Sequence, residues 1–419
     1  MHILYMHQHF QTRHGYTGNR SYEFAKCLTR RGHQVTMICS GVQNEPRLSV
    51  PPGKKYLETD IDGIHCVPIA AALANPLKVT GMSGYRRMLQ FLHFASLAKK
   101  VGRHLSQPDI VFATHTPLTI GLAGMDLAKH FRVPFVFEVR DLWPQALINI
   151  GALRNPLAIG WLRRMERRIY AAADHIVALS PGMQAGIEAA GVSPNKITLI
   201  PNASELDLFR PDLDRQFGRK RLNLGDRFAA IYFGGMGIAN GLEYVVQAAR
   251  ILKSRNRDDI VLVLHGNGGQ RAKLEQMAAD DQLENVVFSD PVPDKSVVAR
   301  LVAACDACLT IYRATNEHTW SPNKMFDALA AGKPVLINVP GWLTQVLEDN
   351  GCGHGVSPNH PEQLADALEE LAGAPDARQE MGRRARELAE REFAREKLAI
   401  RLEGVLEDTI RKSAETITS

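Results

Sequence analysis

The sequence contains few of the residues that mark disulfide-rich, metal-binding or membrane-spanning proteins. Its six cysteines are scattered over 419 residues, and only Cys305 and Cys308 form a CxxC pair. A single pair with no histidine cluster beside it does not predict a zinc or redox centre, and sparse thiols are typical of a reducing compartment. No apolar run approaches the ~20 residues that a membrane-spanning helix needs. Strand-like sequence begins at His2, which predicts a cytoplasmic protein without a signal peptide.

Acidic residues are in deficit only in the first half of the chain. Residues 1–200 hold 23 Lys and Arg against 12 Asp and Glu, whereas residues 201–419 hold 27 against 33. A basic half indicates either an anionic partner or a solvated basic surface. No nucleic-acid-binding module accompanies the basic patches, so we expect no nucleic-acid partner.

One basic segment, residues 81–105, has the pattern of an amphipathic helix. One helical face carries the apolar residues and other faces carry the basic ones: Tyr85, Met88, Leu89, Leu92 and Ala95, and Arg86, Arg87, Lys99, Lys100 and Arg103. Two interpretations are open. The helix lies peripherally on the anionic inner face of the cytoplasmic membrane, or it packs in the fold with a solvated basic face.

Strand-like apolar runs alternate with helical patterns along the chain in two series. A polar, proline-bearing stretch at 202–228 separates them and is interpreted as a linker. Alternating strands and helices predict parallel sheets covered by helices on both faces. We therefore predict an α/β fold of two doubly wound, Rossmann-like domains, 1–205 and 206–395, facing each other across a cleft. The C-terminal helix, 396–419, is predicted to pack back on the first domain.

The stretch "SPNKMFDALAAGKPV" predicts a short helix that begins beside an anion. Ser321 is a suitable N-cap and Pro322 a suitable first helical residue. The free N–H groups of Asn323 and Lys324, with the lysine charge, form an anion site. Asp327, on the second turn, can accept hydrogen bonds from a pair of hydroxyls. The segment predicts a nucleotide with its diphosphate on the helix start and its ribose on the aspartate; the alternative is an ordinary capped helix.

Three glycine-rich turns support the nucleotide interpretation, because such turns let backbone N–H groups approach a phosphate. "YFGGMGIANGLE" contains Gly235 and Gly237, and "HGNGGQ" contains Gly266. "RHGYTGNRSYEFA" places Gly18 and Asn19 at the start of the first helix of the other domain. These five residues are assigned to donor binding.

Other chemistries fit these motifs less well. A dinucleotide-dependent oxidoreductase needs an acidic residue at the end of the strand after the glycine turn, but the two candidate strands end in His265–Gly266 and Ser40. Asp60 and Asp62 form a DxD that precedes a strand far from the glycine turns, so no metal site is predicted. Histidines at the ends of predicted strands favour acceptor contact over zinc, and the predicted acceptor-binding residues are His14, Tyr16 and His115.

In their order and spacing these motifs resemble a known family. "TGNRSYEFAKCLTRRGHQVT", "FEVRDLWPQALINIGAL", "ALSPGM", "IPNASELDLFRP", "YFGGMGIANGLE" and "PNKMFDALAAGKPV" are similar to the family 4 retaining glycosyltransferases of GT-B fold. The branch resembled is that of bacterial O-antigen and capsule enzymes of the N-acetyl-L-fucosamine transferase type. The resemblance covers nearly the whole chain.

The resemblance implies a reaction and its partners. The donor is a nucleotide sugar, UDP-linked, held mainly by the second domain. The acceptor is a polyprenyl-diphosphate-linked or other glycan, held mainly by the first domain. Transfer retains the anomeric configuration without a divalent metal or other cofactor, in surface polysaccharide biosynthesis. The alternatives are a sugar-nucleotide epimerase or phosphorylase of the same fold, and a non-catalytic nucleotide-binding partner protein.

The resemblance also assigns donor-binding residues one at a time. Asp327 falls where the family has the second of two glutamates, which binds ribose hydroxyls. The first glutamate falls on Thr319, so its contact with the donor sugar is assigned to Glu317, two residues away. Val292 completes the predicted donor-binding set.

The family's cationic groups are only partly present. Its arginine and lysine that neutralise the diphosphate fall on Gly235 and Asn240, and Lys324 is predicted to replace them. The family's active-site histidine falls near Arg140, which keeps a basic group but cannot act as a general base because it stays protonated. Arg140, Asp141 and Lys324 are the predicted catalytic residues, with Asp141 orienting Arg140 or binding the acceptor.

Overall fold

The chain forms two compact units. The computed structural model describes residues 1–14, 18–41, 46–70, 84–149, 151–314 and 319–418. The first unit comprises Met1–Pro201 with Glu396–Ser419, and the second comprises Asn202–Arg395. No helix in the described part of the chain is both long enough and apolar enough to cross a bilayer.

The first unit is built on an eight-stranded sheet in the order β3-β4-β2-β1-β5-β6-β7-β8. All neighbouring strands are parallel except the β3–β4 pair. The strands are β1 (His2–Met6), β2 (Gln34–Ser40), β3 (Thr59–Ile61), β4 (Ile64–Ile69), β5 (Ile110–Thr114), β6 (Phe135–Val139), β7 (His175–Ala178) and β8 (Ile197–Leu199). The helices are α1 (Arg20–Arg30), α2 (Gly84–Gly102), α3 (Ile120–Phe131), α4 (Gln145–Asn149), α5 (Pro156–Ala172) and α6 (Pro181–Ala189).

The second unit has a fully parallel six-stranded sheet in the order β11-β10-β9-β12-β13-β14. Its strands are β9 (Phe228–Gly235), β10 (Ile260–Asn267), β11 (Val286–Ser289), β12 (Ala307–Thr310), β13 (Val335–Ile337) and β14 (Gly353–Gly355). Its helices are α7 (Arg215–Arg221), α8 (Glu243–Ser254), α9 (Arg271–Asp280), α10 (Lys295–Ala304), α11 (Asn323–Ala330), α12 (Trp342–Asp349), α13 (Pro361–Gly373) and α14 (Pro375–Glu392). The last helix, α15 (Arg395–Thr418), belongs to the first unit from Glu396 onward.

Each sheet has a point at which the strand order reverses, and this point locates a ligand site. In the first unit β1 lies between β2 and β5, and in the second unit β9 lies between β10 and β12. The helices that follow the two flanking strands then lie on opposite faces, which leaves a crevice at the carboxyl ends of the strands. The two parallel α/β sheets agree with the predicted fold class, and the predicted motifs follow these strands.

The predicted linker is largely wrong. Residues 202–228 contain α7, and their first residues are integrated in the second unit. The backbone N–H of Ser204 donates to Phe393 O, and that of Arg395 donates to Ser204 O, so these two segments of the second unit run side by side. The second unit begins at Asn202, whereas the predicted second domain begins at residue 206. The polar residues of this stretch therefore belong to short segments held by hydrogen bonds and not to a flexible connection.

The helix in segment 81–105 packs differently from the prediction. Its buried face comprises Phe91, Phe94, Ala95, Ala98 and Val101, of which only Ala95 was placed on the apolar face. Lys99 and Arg103 pair with Asp126 of α3 at 2.7 Å. The predicted basic face is thus partly neutralised within the unit, and residues 81–83 and the Tyr85 side chain lie outside the described residues.

A buried ion pair organises the first unit. Arg20, at the start of α1, is fully buried and donates from Nε and Nη2 to Glu138 Oε1 at 3.0 and 2.9 Å. Its remaining donors reach Pro201 O at 2.5 Å and Ile200 O at 2.8 Å. Glu138, near the end of β6, also accepts from the Thr114 hydroxyl at the end of β5. One guanidinium therefore fixes α1, two central strands and the exit of the chain.

We expect Arg20→Met to destabilise the first unit by about 3–5 kcal/mol, because it leaves the Glu138 carboxylate buried without its cation. Arg30→Met, at an exposed position of the same helix, is the matched control. The measurement is urea unfolding followed by circular dichroism. The double variant Arg20→Met with Glu138→Leu should recover most of the loss, since an apolar pair removes the unpaired charge. An unchanged unfolding midpoint for Arg20→Met would show that the pair does not contribute in this way.

Candidate active site

The predicted anion helix of the second unit begins as expected but is capped differently. α11 starts at Asn323, and Pro322 occupies the N-cap position. Ser321 is therefore not the cap; its hydroxyl accepts from Asn202 N at 3.0 Å, and its carbonyl accepts from Asn202 Nδ2 at 2.5 Å. The side-chain oxygen of Asn323 is buried without a partner among the described residues. Among the described residues, the start of α11 therefore has no side-chain cap hydrogen bond.

Lys324 lies against the glycine turn at the end of β9. Its Nζ is 3.7 Å from the centre of the Tyr232 ring and 3.5 Å from where a Cβ on Gly234 would stand. In the described part of the chain it has no carboxylate partner, and burial lowers its pKa to about 7. A cation without an anion at the carboxyl end of a central strand is ready to receive an anionic ligand.

The glycine turns have the close geometry that the sequence predicted. Gly266, at the end of β10, has a φ of +144°, and a Cβ there would lie 1.9 Å from Gly234 O. Gly235 is exposed beside it, and Gly237 N donates to Asn240 Oδ1 at 3.1 Å. Asn240, which stands where the resembled family has a lysine, thus stabilises the glycine turn. The charge at this turn comes instead from Lys324 of α11.

The remaining positions of the predicted donor site are placed individually. Val292 is half-buried in the loop after β11. Thr319 is half-buried on the approach to α11. Glu317, the predicted replacement for the first family glutamate, lies outside the described residues.

Asp327 is held in a buried charge network. It is 3% exposed; Oδ1 accepts from the Ser204 hydroxyl at 2.8 Å, and Oδ2 lies 3.6 Å from Lys295 Nζ. Lys295 pairs more closely with Glu205, at 2.6 Å, and Glu205 also pairs with Arg395 at 3.1 Å. Burial raises the pKa of Asp327 to about 6, opposed by Lys295. Its carboxylate is committed to the interior, so the predicted ribose contact does not follow from its position.

The first unit has a cavity of about 920 Å³ at the carboxyl ends of its strands. His7, Gln8 and His9 reach it from the end of β1, Ser40 from β2, and Arg140 from β6. Gln8 and Ser40 were not predicted as ligands. Both are nearly fully buried, and Gln8 Oε1 and Ser40 Oγ have no hydrogen-bond partner among the described residues. The run "MHQH" after the first strand was the signal for this edge.

Arg140 is the charged group of a histidine cluster. Its Nη1 lies 3.3 Å from His7 Nε2, and His7 Nδ1 lies 2.8 Å from the Ser21 hydroxyl. Because a guanidinium only donates, His7 Nε2 accepts and Nδ1 carries the proton. Burial, together with Arg140, lowers the pKa of His7 well below its usual range and that of His9 to about 4. At neutral pH the site therefore presents one guanidinium among neutral imidazoles.

His115 lies behind this cluster rather than at a surface. It is 1% exposed, and its ring meets that of Trp143 edge-on at 5.4 Å between centroids. Neither ring nitrogen has a partner among the described residues. Burial and Arg140 lower its pKa to about 3. His115 thus lies at the strand end where an acceptor-binding residue was predicted, but it is covered by Trp143 of the "RDLWP" motif. Trp143 lines the cavity.

The remaining predictions for the first unit are placed individually. Asp141 is exposed, and its carboxylate accepts from the Thr116 hydroxyl at 3.0 Å. Gly18 lines the cavity, whereas Asn19 is buried and donates to Glu23 at 3.1 Å. His14 is exposed and away from the cavity lining. Tyr16 lies outside the described residues.

Arg140 forms no ion pair in the part of the chain that the structure describes. Glu138, two residues before Arg140 in the sequence, forms its ion pair with Arg20 instead. The charge of Arg140 is thus available to a ligand.

The DxD and CxxC pairs have structural explanations. Asp60 Oδ1 accepts from Gly63 N at 3.0 Å in the β3–β4 turn, and Asp62 binds the Tyr22 hydroxyl. Cys305 and Cys308 are buried, and burial raises the pKa of Cys305 to about 12, so the thiols stay protonated.

One group with metal-ligand spacing occurs among the described residues. It comprises His33, Glu403 and Glu407. Arg31 Nε already neutralises the Glu403 carboxylate at 2.5 Å. The group fastens α15 to the first unit.

Two family models match the chain in succession. The Glycosyl transferase 4-like domain matches residues 17–203, and the Glycosyl transferases group 1 domain matches residues 214–388. The glycosyltransferase WbjE of Pseudomonas aeruginosa is 24% identical over 293 residues, 68% of this chain and 72% of that protein. The colanic acid biosynthesis glycosyl transferase WcaI of Escherichia coli K12 is 26% identical over 327 residues, 75% and 78% of the two chains.

Solved structures of similar fold cover almost the entire chain. Sucrose-phosphate synthase from Thermosynechococcus elongatus has a TM-score of 0.76 at 19% identity, with 98% of this chain and 99% of that chain covered. The Anabaena protein HepE, solved in complex with UDP, has a TM-score of 0.70 at 15% identity, with 97% and 100% covered. With both of its units matched in order by glycosyltransferase domains, the chain belongs to the family 4-type glycosyltransferases of GT-B fold.

Proposed function

We propose that this glycosyltransferase moves a sugar, with retention and without a metal, from a UDP-linked donor to a lipid-diphosphate-linked acceptor. The proposed pathway is bacterial surface polysaccharide biosynthesis. This choice is supported by the similarity to WcaI, which is named as a glycosyl transferase of colanic acid biosynthesis. The observation that carries the proposal is Lys324, a buried amine at the glycine turn of a parallel sheet, with no carboxylate partner among the described residues.

The donor half of the proposal follows from the chemistry of the leaving group. Cleavage of the bond between the anomeric carbon and oxygen leaves negative charge on the β-phosphate. A fixed cation and backbone N–H groups aimed at that charge lower the barrier, and loss of one such donor costs about 2.7–4 kcal/mol. Lys324, the start of α11 and the turn at Gly235 supply these groups within one unit. The UDP found with HepE supports the choice of nucleotide.

A protein cation takes the place of a metal in this proposal. The DxD carboxylates are engaged in a hairpin turn and with Tyr22, so they do not offer a ready metal site. In the retaining front-face reaction the leaving phosphate helps take the acceptor proton. A dedicated carboxylate base is then unnecessary, which agrees with the burial of Asp327.

The acceptor half rests on the cavity of the first unit. Arg140 is a full positive charge at its polar end, and most of the remaining lining is apolar. An amphipathic acceptor with an anionic head group matches both features. Peripheral contact with an anionic membrane is part of this proposal, supported by the basic balance of residues 1–200 although Lys99 and Arg103 are already paired.

We expect UDP affinity to fall as pH rises above 7.5. Lys324 in the free protein has a pKa near 7, and the diphosphate favours its charged form, so each bound UDP needs a proton that becomes scarcer at higher pH. The fall should reach up to about tenfold per pH unit. Lys324→Arg should remove the pH dependence, because arginine stays charged.

Calorimetry between pH 7.5 and 9, where the UDP phosphates are already ionised, checks this expectation. These titrations contain EDTA. If UDP binds only after manganese is added in excess over EDTA, the metal-free proposal is wrong. Lys324→Met should weaken binding by about 1.5–3 kcal/mol, and the exposed Lys220→Met is its control. Equal UDP affinity in Lys324→Met and the parent would remove the donor assignment.

Asp327→Asn separates a structural role from ribose binding. From its contacts with Ser204 and Lys295 we expect the second unit to lose about 1–3 kcal/mol of unfolding free energy, with UDP affinity nearly unchanged. Asp349→Asn, at an exposed position, is the control. If instead the variant binds UDP at least tenfold more weakly and unfolds at the parent midpoint, the ribose assignment is correct.

Arg140→Met tests the catalytic assignment in the first unit. If Arg140 stabilises charge that develops in the transition state, kcat and kcat/KM fall together while UDP affinity is kept. Arg140→Lys should recover only part of the loss, because a point charge does not reproduce a planar fork. Steady-state kinetics with saturating donor measure both values. The proposed contact with the acceptor head group adds a rise in acceptor KM; that rise with kcat unchanged would leave Arg140 the binding role and remove the catalytic one.

A further inference from the structure

The cavity of the first unit has two chemically distinct ends. Its polar end is formed at the carboxyl edge of the sheet. The rest is lined by α2, α5 and the segment between α4 and α5, mainly through apolar side chains such as Met88, Phe91, Leu92, Leu153, Trp161 and Leu162, and Arg87 of α2 also belongs to this lining. Phe91 and Trp143 stand where the two ends meet, since their rings contact His9 at 6.3 Å and His115 at 5.4 Å between centroids. Such a cavity suits a ligand with one polar and one apolar end.

The polar end is built for a small anionic group. Arg140 supplies a full charge, and no Asp or Glu belongs to the lining formed by the described residues. The Ser40 hydroxyl, buried and unpartnered in the described structure, lies at the same edge and can donate to an anion, whereas Gln8 Oε1 can only accept, for example from a bridging water. Buried polar atoms of this kind are normally satisfied by a ligand or by water.

The apolar end opens between hydrophobic side chains. Leu89 of α2 and Trp161 of α5 line the cavity and are nevertheless 47% and 45% exposed. Leu157, one turn before Trp161, is 83% exposed. Large apolar side chains seldom stand together at a protein surface without a purpose. A hydrocarbon chain could leave the cavity between these side chains.

We propose that this cavity binds the first part of the hydrocarbon chain of a lipid diphosphate, with the diphosphate at Arg140. The chain lies against α2 and α5 and leaves between Leu89 and Trp161. The inference rests on the proposed function in one respect, that the acceptor is a lipid diphosphate. It adds that the enzyme binds the hydrocarbon chain of the acceptor and does not recognise the acceptor by its sugar alone.

A glycan occupant is disfavoured by the same lining. A sugar needs hydrogen-bond partners around each ring, and burying hydroxyls without partners costs free energy. The apolar end between α2 and α5 supplies few such partners. A hydrocarbon chain loses nothing there and gains about 0.8 kcal/mol for each CH₂ removed from water, roughly fourfold in affinity.

The test compares inorganic diphosphate, geranyl diphosphate and farnesyl diphosphate as probes, titrated calorimetrically into the full chain below their aggregation concentrations. We expect affinity to rise at least tenfold from inorganic diphosphate to geranyl diphosphate, and again to farnesyl diphosphate. Equal affinity for the three probes would overturn the proposal, because the chain would then lie in solvent.

Cavity-filling variants locate the effect. Ala158 lines the cavity on α5, and Ala171 is exposed on the same helix outside it. Ala158→Phe should weaken farnesyl diphosphate at least tenfold and leave inorganic diphosphate unchanged, whereas Ala171→Phe should change neither. Circular dichroism melts confirm that both variants are folded; if Ala158→Phe is not, Leu162→Ala replaces it, and its enlarged cavity should weaken farnesyl diphosphate while sparing diphosphate. Unchanged farnesyl diphosphate affinity in the folded variant would also overturn the proposal.

A parallel UDP titration separates this inference from the proposed function. UDP binding with no chain-length dependence would refute the lipid cavity and leave the donor proposal intact. Chain-length dependence without UDP binding would refute the UDP donor and leave the cavity assignment standing.

Discussion

The buried contact between Arg20 and Glu138 is the constraint on which the first unit's site depends. Both side chains are fully buried, so neither charge is tolerable without the other. The pair lies beneath the carboxyl ends of β5 and β6, where His115 and Arg140 begin. Glu138 is paired with Arg20, and Arg140 forms no ion pair with the residues that the structure describes. Arg140 can therefore offer its charge to a ligand in the cavity.

A comparable arrangement occurs around α11 in the second unit. Asn202 binds the residue before the helix and Ser204 binds Asp327 on its second turn, so one short segment contacts the helix at two levels. Glu205 then joins that segment to Lys295 and Arg395. The network fixes the direction in which the start of α11 points. Lys324, on the first turn of that helix, has no carboxylate partner among the residues that the structure describes. Glu138 in the first unit and Asp327 in the second are both bonded to other protein groups.

The sequence was sufficient for the fold because strand periodicity and glycine turns are local signals. It predicted two parallel α/β sheets, the strand ends that carry Arg140 and His115, and the α11 start with Lys324. It failed where long-range contacts decide the outcome. The 202–228 stretch is polar because it bonds to distant segments, and Ser321 serves Asn202 rather than its own helix. Asp327 was assigned to ribose hydroxyls since nothing local reveals Lys295, and the cavity needed side chains from β1, α2 and α5 together.

The enclosure of Arg140 among neutral imidazoles changes how its charge responds to ionic strength. Basic residues on a surface lose their attraction for anions within about 8 Å at physiological salt, because mobile ions screen them. A guanidinium inside a cavity with apolar walls is shielded from those ions, so its field persists. Salt that releases a loosely attached protein from a charged membrane would thus leave a head group already seated at Arg140 in place. Attachment to a surface and retention of a ligand would then be governed separately, the first by the electrolyte and the second by the walls of the cavity.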